Sequence, residues 1–240
     1  METNGIENMS QPVHIGLVGM GTVGTGVVRV LKDSAHHIAK QAGRPLLVEH
    51  VVVQNVKKPR SVELTEKQLS NDLAKITEDQ TISVVAVLLG GLEPARTICL
   101  ELLRSGKDLV TANKALLAEH GPELFQAARE AGRSIAFEAA IGGGIPIVAA
   151  ISECLTGNQI SSIRGILNGT SNFILTKMEQ EGSNYHDVLA LAQSEGYAEA
   201  DPTMDVDGTD ATQKLALLAH LAFGRWVHWA TIPRYGLETV

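Results

Sequence analysis

Short apolar runs alternate with amphipathic segments along roughly the first 140 residues of the chain. Runs rich in Val, Ile and Leu, which are typical of buried strands, occupy 13–18, 46–55, 82–91, 108–114 and 133–140. Segments with helical spacing lie between them at 25–40, 93–106 and 122–132, and the last two of these end at glycine. Strands that alternate with helices of this length predict βαβ units, and therefore an α/β domain with a doubly wound parallel sheet.

The pattern changes at the three glycines 142–144, which are followed by Pro146. Residues 142–157 are predicted to open into a helix and residues 158–170 to form a strand. Three further helices, each stopped by a glycine, are predicted at 171–182, 184–196 and 208–224. The glycines indicate a hinge between domains. We therefore predict a flexible N-terminus (1–12), a dinucleotide-binding domain (13–145) and an α+β substrate and dimerisation domain (146–240).

The sequence GMGTVG directly follows the first predicted strand and opens the first predicted helix. In this context Gly19 allows a tight turn, Gly21 lets the backbone approach a pyrophosphate, and Gly24 permits close packing of the helix on the strand. Thr22 and Val23 begin the helix, whose free N–H groups favour phosphate. The pattern indicates a Rossmann-type fold with a dinucleotide at this turn, while a glycine turn without a ligand is the alternative.

The end of the second predicted strand bears on the choice of cofactor. Proteins that bind NAD usually carry an acid there, which binds the ribose 2′-hydroxyl. This chain has Gln54 and Asn55, followed by the cations Lys57, Lys58 and Arg60. The missing acid and the nearby cations favour the 2′-phosphate of NADP, with Lys57 as a contact. NAD stays open, because a solvated basic loop explains the same residues.

Composition narrows the class of protein. The 240 residues carry a net charge of −7 and are 44% hydrophobic, which excludes a disordered chain and argues against nucleic acid as a partner. No apolar run is long enough for a membrane helix, and the polar N-terminus is unlike a secretory signal. Only Cys99 and Cys154 are present, so a disulfide framework is excluded. We expect a cytoplasmic protein without a membrane partner.

Longer motifs beyond the glycine turn are more specific. They are TANKALLAEHG (111–121), FEAAIGGGIPI (137–147), GILNGTSNFILTKM (165–178) and GYAEADPTMDVDGTDATQKLALLA (196–219). In this order and spacing the chain resembles the homoserine dehydrogenases from about Val13 to Phe223. The resemblance implies interconversion of L-homoserine and L-aspartate 4-semialdehyde with a nicotinamide cofactor, in threonine and methionine biosynthesis. We also predict Gly90, at the end of the strand over 82–91, as a cofactor contact.

Reduction of an aldehyde needs a hydride at carbon and a proton at the developing alkoxide, and a lysine ammonium suits the second task. Lys214 follows Asp210 by four residues on a predicted helix, so the two side chains share a face. The resemblance implies that Lys214 is the proton donor, that Asp210 is its partner, and that Glu199 and Asp205 bind substrate. It also places Lys114 between nicotinamide and substrate. The alternative for the Asp210–Lys214 pair is an ordinary ion pair on a helix surface.

The segment FEAAIGGGIPI carries one carboxylate within a glycine-rich backbone. The resemblance implies a monovalent cation, usually sodium, held by Glu138 and the backbone carbonyls of Ile141, Gly143 and Ile145. Oxygen-only coordination suits a hard cation and argues against zinc or copper. The alternative is a hinge in which Glu138 caps a helix.

The resemblance also implies that homoserine dehydrogenases continue past residue 240, so the second domain is expected to be incomplete here. Association into a homodimer through that domain is likewise implied. A non-catalytic NADP-binding fragment of the family is the alternative function. Another two-domain reductase is disfavoured by the TANK and LNGT motifs together, and an acylating aldehyde dehydrogenase is disfavoured because it needs an activated thiolate.

Overall fold

A computed structural model of the chain describes residues 11–198 and 200–239. Most of the predicted flexible N-terminus, residues 1–10, lies outside that part. The chain divides into two compact units, each described below by itself. The first unit contains the residues up to Leu116 together with His120–Phe137, and the second contains Leu117–Glu119 and the residues from Glu138 onward.

The first unit is built on one six-stranded sheet in which every paired strand is parallel. The strands are β1 (Val13–Val18), β2 (Leu46–Val52), β3 (Leu69–Ser70), β4 (Ile82–Val87), β5 (Asp108–Thr111) and β6 (Ile135–Ala136). Their order across the sheet is β3-β2-β1-β4-β5-β6, the arrangement of a doubly wound dinucleotide-binding fold. The predicted Rossmann-type sheet is confirmed. Its topological switch point lies between β1 and β4, next to the glycine turn that follows β1.

Five helices connect these strands. They are α1 (Thr22–Asp33), α2 (Ala35–Ala42), α3 (Ala74–Thr77), α4 (Ala95–Arg104) and α5 (Lys114–Glu130). The predicted helix over 25–40 is broken at Ser34, and α5 begins eight residues before the predicted start at Pro122, which lies inside the helix. Lys114 is therefore the first residue of a helix rather than the end of a strand. The cause is Asn113, whose side-chain oxygen accepts a hydrogen bond from the Leu116 N–H and caps the helix.

Apolar residues from the central strands and α1 form the core that fixes the glycine turn. Leu17 of β1, Val28 of α1 and Val51 of β2 are completely buried and pack in one cluster. Because α1 packs against these strands immediately after the turn, the position of its first residues is set by the core.

The second unit is helical in the part of the chain that the structure describes. Its helices are α6 (Glu138–Ile141), α7 (Ile147–Ala149), which continues into a π-helical turn (Ala150–Cys154), α8 (Gly169–Glu181), α9 (Tyr185–Ser194), α10 (Thr203–Val206) and α11 (Thr209–Phe223). A small core of Ile174, Val188, Ala192, Ala198 and Leu237 holds α8 and α9 together.

The strand predicted over 158–170 is not formed. Residues 159–168 have no regular secondary structure, and α8 begins at Gly169. A strand needs a hydrogen-bonded neighbour, and all six strands found among the described residues belong to the sheet of the first unit. The apolar residues of this segment are only partly buried, and Ile166 is 74% exposed. The α+β character predicted for this half is not seen in the described residues.

The division between the units lies at Phe137/Glu138, whereas the sequence pattern placed it at 145/146. Glu138 explains the difference, because its two carboxylate oxygens accept hydrogen bonds from the N–H groups of Val148 and Ala149 at 2.7 and 3.0 Å. The glycine-rich segment is thereby tied to the second unit. Separately, no helix in the described part of the chain is long and apolar enough to cross a membrane.

Candidate functional site

The glycine turn after β1 has a backbone that side chains would obstruct. Gly19 has φ +93°, and a Cβ there would lie 2.8 Å from the carbonyl oxygen of Leu88. A Cβ on Gly24 would lie 2.3 Å from the carbonyl oxygen of Gly19, so α1 approaches the turn more closely than any other residue allows. A Cβ on Gly21 would meet no atom within 4 Å, which leaves open space beside the backbone. That combination suits a turn that a pyrophosphate approaches from the side of Gly21.

The N-terminus of α1 is not capped by a side chain. Gly21 is its N-cap residue, so the first N–H groups of this 12-residue helix lack a side-chain acceptor at that position. Val23 is 56% exposed although it is apolar, and a Cβ on Gly90 would also meet open space. These residues could hold an anionic dinucleotide, because the helix dipole and the N–H groups favour phosphate.

The basic loop after β2 is organised by Arg60. Its guanidinium donates to the carbonyl oxygens of Asn55 and Lys58, both at 2.7 Å, and to that of Val56 at 3.3 Å. The side chain of Asn55 accepts from the Lys57 N–H at 2.9 Å. Arg60 therefore folds the loop, whereas Lys57 and Lys58 are exposed. Of the three predicted cations, Lys57 and Lys58 are the ones presented to solvent.

Asn113, which the sequence reasoning missed, fixes the start of α5. It is 9% exposed, and its amide nitrogen donates to the carbonyl oxygens of Leu89 and Gly91 at 3.0 and 2.6 Å. The loop that contains Gly90 and the helix that begins at Lys114 are thus joined through one side chain. The sequence could have indicated that Asn113 caps α5, because asparagine is a common N-cap residue. Its hydrogen bonds to the loop after β4 join segments far apart in the chain and could not be read from the sequence.

Lys214 and Asp210 form a shielded ion pair on α11. Lys214 Nζ lies 2.9 Å from Asp210 Oδ2 and also donates to the carbonyl oxygen of Leu167 at 2.9 Å. The side chains are 19% and 7% exposed. An ordinary pair of the same spacing, Lys177–Glu181 on α8, is 34% and 51% exposed. The Asp210–Lys214 pair is therefore not a helix-surface pair, since both charges are largely removed from water.

A second carboxylate joins this pair through Asn168. The Asn168 amide nitrogen donates to Asp205 Oδ1 at 2.7 Å and to Asp210 Oδ2 at 2.9 Å. The Asn168 oxygen accepts from the Ser171 N–H at 2.7 Å and caps α8. The structure thus brings together Asp205, Asp210 and Lys214, three residues predicted for the site, and adds Asn168, which the sequence reasoning missed. Glu199 lies outside the described residues.

A cavity of about 480 Å³ lies beside Lys214 within the second unit. Its walls are mostly apolar, with the ammonium-bearing Lys214 and Asn168 among the polar residues that line it. The predicted cation-binding residues Ile141, Gly143 and Ile145 line the same cavity. An apolar cavity with a few convergent polar groups is the usual form of a small-molecule site.

Glu138 occupies the capping position described above, and the Ile145 carbonyl oxygen accepts from the Ile147 N–H at 2.8 Å. Each of these oxygens keeps a second acceptor direction, so the all-oxygen set fits a monovalent cation chemically. Among the described residues there is no cluster of three or more His, Cys, Asp or Glu that could hold a metal ion.

The two cysteines differ in environment. Burial raises the pKa of the Cys99 thiol to about 12, which makes it a poor nucleophile. Cys154 is exposed at the end of the π-helical turn. The environment of Cys99 is therefore unlike that of the activated thiolate that an acylating aldehyde dehydrogenase needs.

Two family models match the chain. The model described as "Homoserine dehydrogenase, NAD binding domain" matches residues 19–138, and the model described as "Homoserine dehydrogenase" matches residues 146–240.

Relatives and solved structures agree with these matches. Homoserine dehydrogenase from Synechocystis is 47% identical over 95% of the chain, and that from Bacillus subtilis is 42% identical over 95%. The crystal structure of a homoserine dehydrogenase from Thiobacillus denitrificans is 41% identical, with a TM-score of 0.85 over 96% of the chain. The chain covers only 52%, 53% and 53% of these three proteins, and thus spans about half of their length. The chain belongs to the homoserine dehydrogenase family.

Proposed function

We propose that this protein is an oxidoreductase that interconverts L-homoserine and L-aspartate 4-semialdehyde with a nicotinamide cofactor. The observation that carries the proposal is the Asp210–Lys214 pair, largely shielded from water, beside an apolar cavity with Asn168 on its wall. A cation held there by a carboxylate suits the charge that develops on a carbonyl oxygen during reduction.

The residues have distinct tasks in the reduction. The residues of the glycine turn would hold the cofactor, which would supply the hydride for the aldehyde carbon. Lys214 Nζ donates a proton to the oxygen, which becomes the hydroxyl of homoserine, and Asp210 keeps the ammonium in place before the transfer. From the resemblance we propose that Asp205 and Glu199 bind the substrate and that Lys114 contacts nicotinamide and substrate. In the direction of oxidation Lys214 accepts the hydroxyl proton.

We propose NADP as the preferred cofactor. The acid that would bind an unphosphorylated ribose is replaced by Gln54, and the exposed Lys57 and Lys58 offer charge to a 2′-phosphate. A hyperthermophilic archaeal homoserine dehydrogenase in complex with NADPH, 26% identical over 96% of the chain with a TM-score of 0.79, supports a phosphorylated cofactor in a related fold. Gly19, Gly21, Thr22, Val23, Gly24 and Gly90 complete the predicted contacts.

A sodium ion at Glu138 and the carbonyls of Ile141, Gly143 and Ile145 is part of the same proposal. Its role is structural, because it would fix the segment that lines the cavity beside Lys214. The melting temperature of the chain should be higher in sodium chloride than in choline chloride at equal ionic strength. An equal melting temperature in both salts would leave Glu138 as a helix cap alone.

From the resemblance we further propose a cytoplasmic homodimer that acts in threonine and methionine biosynthesis. The deciding experiment is homoserine-dependent reduction of NADP⁺ and NAD⁺ by the purified chain, followed at the nicotinamide absorbance. Turnover with NADP⁺ ahead of NAD⁺ is expected. Binding of NADPH without turnover would instead identify the chain as a non-catalytic cofactor-binding part of the family protein.

A further inference from the structure

Asn168 uses every polar group of its side chain within the cluster around Lys214. The residue is 8% exposed. Its two N–H groups donate to Asp205 Oδ1 and Asp210 Oδ2, and its oxygen accepts from the first turn of α8. Capping of a helix uses only the side-chain oxygen, so the two donated hydrogen bonds are additional to the cap.

The atom of Asp210 that Asn168 contacts is also the atom that contacts Lys214. Asp210 Oδ2 lies 2.9 Å from both the Asn168 amide nitrogen and Lys214 Nζ. Leu167, the residue directly before Asn168, provides the carbonyl oxygen that is the second acceptor for Lys214. Both of these acceptors of the Lys214 ammonium are therefore fixed from the same place in the chain: the Leu167 carbonyl by the backbone, and Asp210 Oδ2 by the Asn168 amide.

The same amide lies between two carboxylates. Asp205 and Asp210 both accept a hydrogen bond from its nitrogen. Two ionised carboxylates that lie on either side of one amide group would repel one another if no donor stood between them. A neutral amide supplies two donors and adds no charge. A lysine or an aspartate at this position would add one.

We infer that Asn168 is a positioning residue: its amide bridges Asp205 and Asp210 and thereby fixes Asp210 against Lys214. The catalytic consequence rests on the proposed function. The bridging itself does not, and it is measurable without substrate.

Asn168→Asp separates bridging from capping. Aspartate caps a helix as well as asparagine does, but it removes both donors and adds a third carboxylate. Asp205 faces the new carboxylate from α10, Asp210 and Lys214 face it from α11, and Arg164 lines the adjoining cavity. The two like charges and the burial raise the pKa of the added carboxyl, whereas Lys214 and the N-terminus of α8 lower it. Because Lys214 is already paired with Asp210, we expect the raising contributions to prevail in the folded chain.

The raised pKa of the added carboxyl determines how the stability of Asn168→Asp changes with pH. The protonated carboxyl is tolerated in the folded chain, and the free energy of unfolding of the variant falls as the pH rises through the folded pKa. The deficit in melting temperature of Asn168→Asp relative to the unchanged chain should therefore widen by about 4 °C between about pH 5.5 and about pH 8. Its kcat/KM for homoserine should fall at least about tenfold at the higher pH and partly recover at the lower, where the protonated carboxyl again donates.

Asn184→Asp is the matched control. Asn184 caps α9 in the same way, with its oxygen accepting from the Asp187 N–H at 3.0 Å, and its amide nitrogen also donates to the Asp187 carboxylate, but the pair is exposed and lies outside this cluster. Because water screens an exposed pair of carboxylates, Asn184→Asp should leave kcat/KM unchanged and shift the melting temperature with pH much less than Asn168→Asp does. If Asn168→Asp behaved like Asn184→Asp in both measurements, Asn168 would be only a cap and the inference would be wrong.

Two results keep the inference distinct from the proposed function. If the unchanged chain shows no turnover, the proposed function fails, whereas the melting temperatures still decide whether Asn168 bridges the carboxylates. If Asn168→Asp does not fold, Asn168→Ser keeps a capping oxygen and adds no charge, and its single hydroxyl donor cannot bridge two carboxylates as the two amide N–H groups do. Turnover of Asn168→Ser equal to that of the unchanged chain would overturn the positioning role, and a loss of about tenfold at every pH would support it.

Discussion

Lys214 and Asp210 are one helical turn apart on α11, and their charged atoms lie 2.9 Å from each other with the Asp210 side chain only 7% exposed. In water such a pair contributes little to stability, but here both charges have lost most of their hydration. A shielded pair beside a cavity is a candidate for a functional site, and this arrangement supports the role that we propose for Lys214.

Lys214→Ala should reduce turnover of homoserine by about 10²-fold or more, because the donor of the alkoxide proton is removed. Binding of NADPH should change little. The matched control is Lys177→Ala, which removes the lysine of an exposed pair with the same four-residue spacing. Steady-state rates and fluorescence titration of NADPH distinguish the two variants. Equal turnover in both would exclude Lys214 as the proton donor.

Gly24→Ala should weaken both the fold and the cofactor site. The added methyl group would lie 2.3 Å from the Gly19 carbonyl oxygen, a backbone atom that moves only if the turn itself moves. Gly26→Ala, two residues later on the same helix, meets open space and should raise stability by about 0.5–1 kcal/mol through the better helix propensity of alanine.

Denaturant unfolding and NADPH titration of the two glycine variants provide the comparison. We expect opposite signs of the change in unfolding free energy, with loss of NADPH binding confined to Gly24→Ala. Unimpaired NADPH binding by Gly24→Ala would show that close packing of α1 on the turn is not needed for the site.

The parallel sheet was predictable because the sequence pattern of each strand lies within the strand itself. Five of the six strands of the first unit lie in short apolar runs, and the spacing of those runs leaves room for a helix, so β1 and β4 could be recognised one at a time. The sixth, β3, is only two residues long and lies outside the predicted runs. The predicted strand over 158–170 failed for the opposite reason. Its pattern is apolar, but a strand exists only with a partner, and no single segment encodes whether that partner is present.

The site was predictable only where a motif carried it. Lys214 and Asp210 are four residues apart, so their contact follows from helical geometry. Asn168 lies 42 positions from Asp210 and 37 from Asp205 along the chain. Its donors meet those carboxylates only after α8, α10 and α11 have packed, so no spacing rule connects them. Asn113 was missed for the same reason, since its amide contacts a loop that follows β4.

Lys57→Ala should weaken NADPH more than NADH. The Lys57 side chain is exposed on the loop after β2, and a 2′-phosphate is the only part of NADPH that NADH lacks. A lost contact between ammonium and phosphate should cost about tenfold in affinity. Lys67→Ala, an exposed lysine farther along the same connection between β2 and β3, serves as the control. Equal losses for NADPH and NADH would count against a role for Lys57 in reading the phosphate.

Lys107→Met should destabilise the sheet although Lys107 has no place in the proposed reaction. The residue is 2% exposed, and its ammonium donates to the carbonyl oxygens of Asp79 and Ile82 at 2.6 and 2.9 Å, which ties the start of β5 to the start of β4. Methionine fills nearly the same volume but leaves both carbonyls without this donor, at a cost of about 2 kcal/mol. Lys75→Met, on the exposed surface of α3, should change stability by less than about 0.5 kcal/mol. Guanidinium unfolding of the two variants measures the difference, and similar midpoints would mean that water replaces the lysine at these carbonyls without loss.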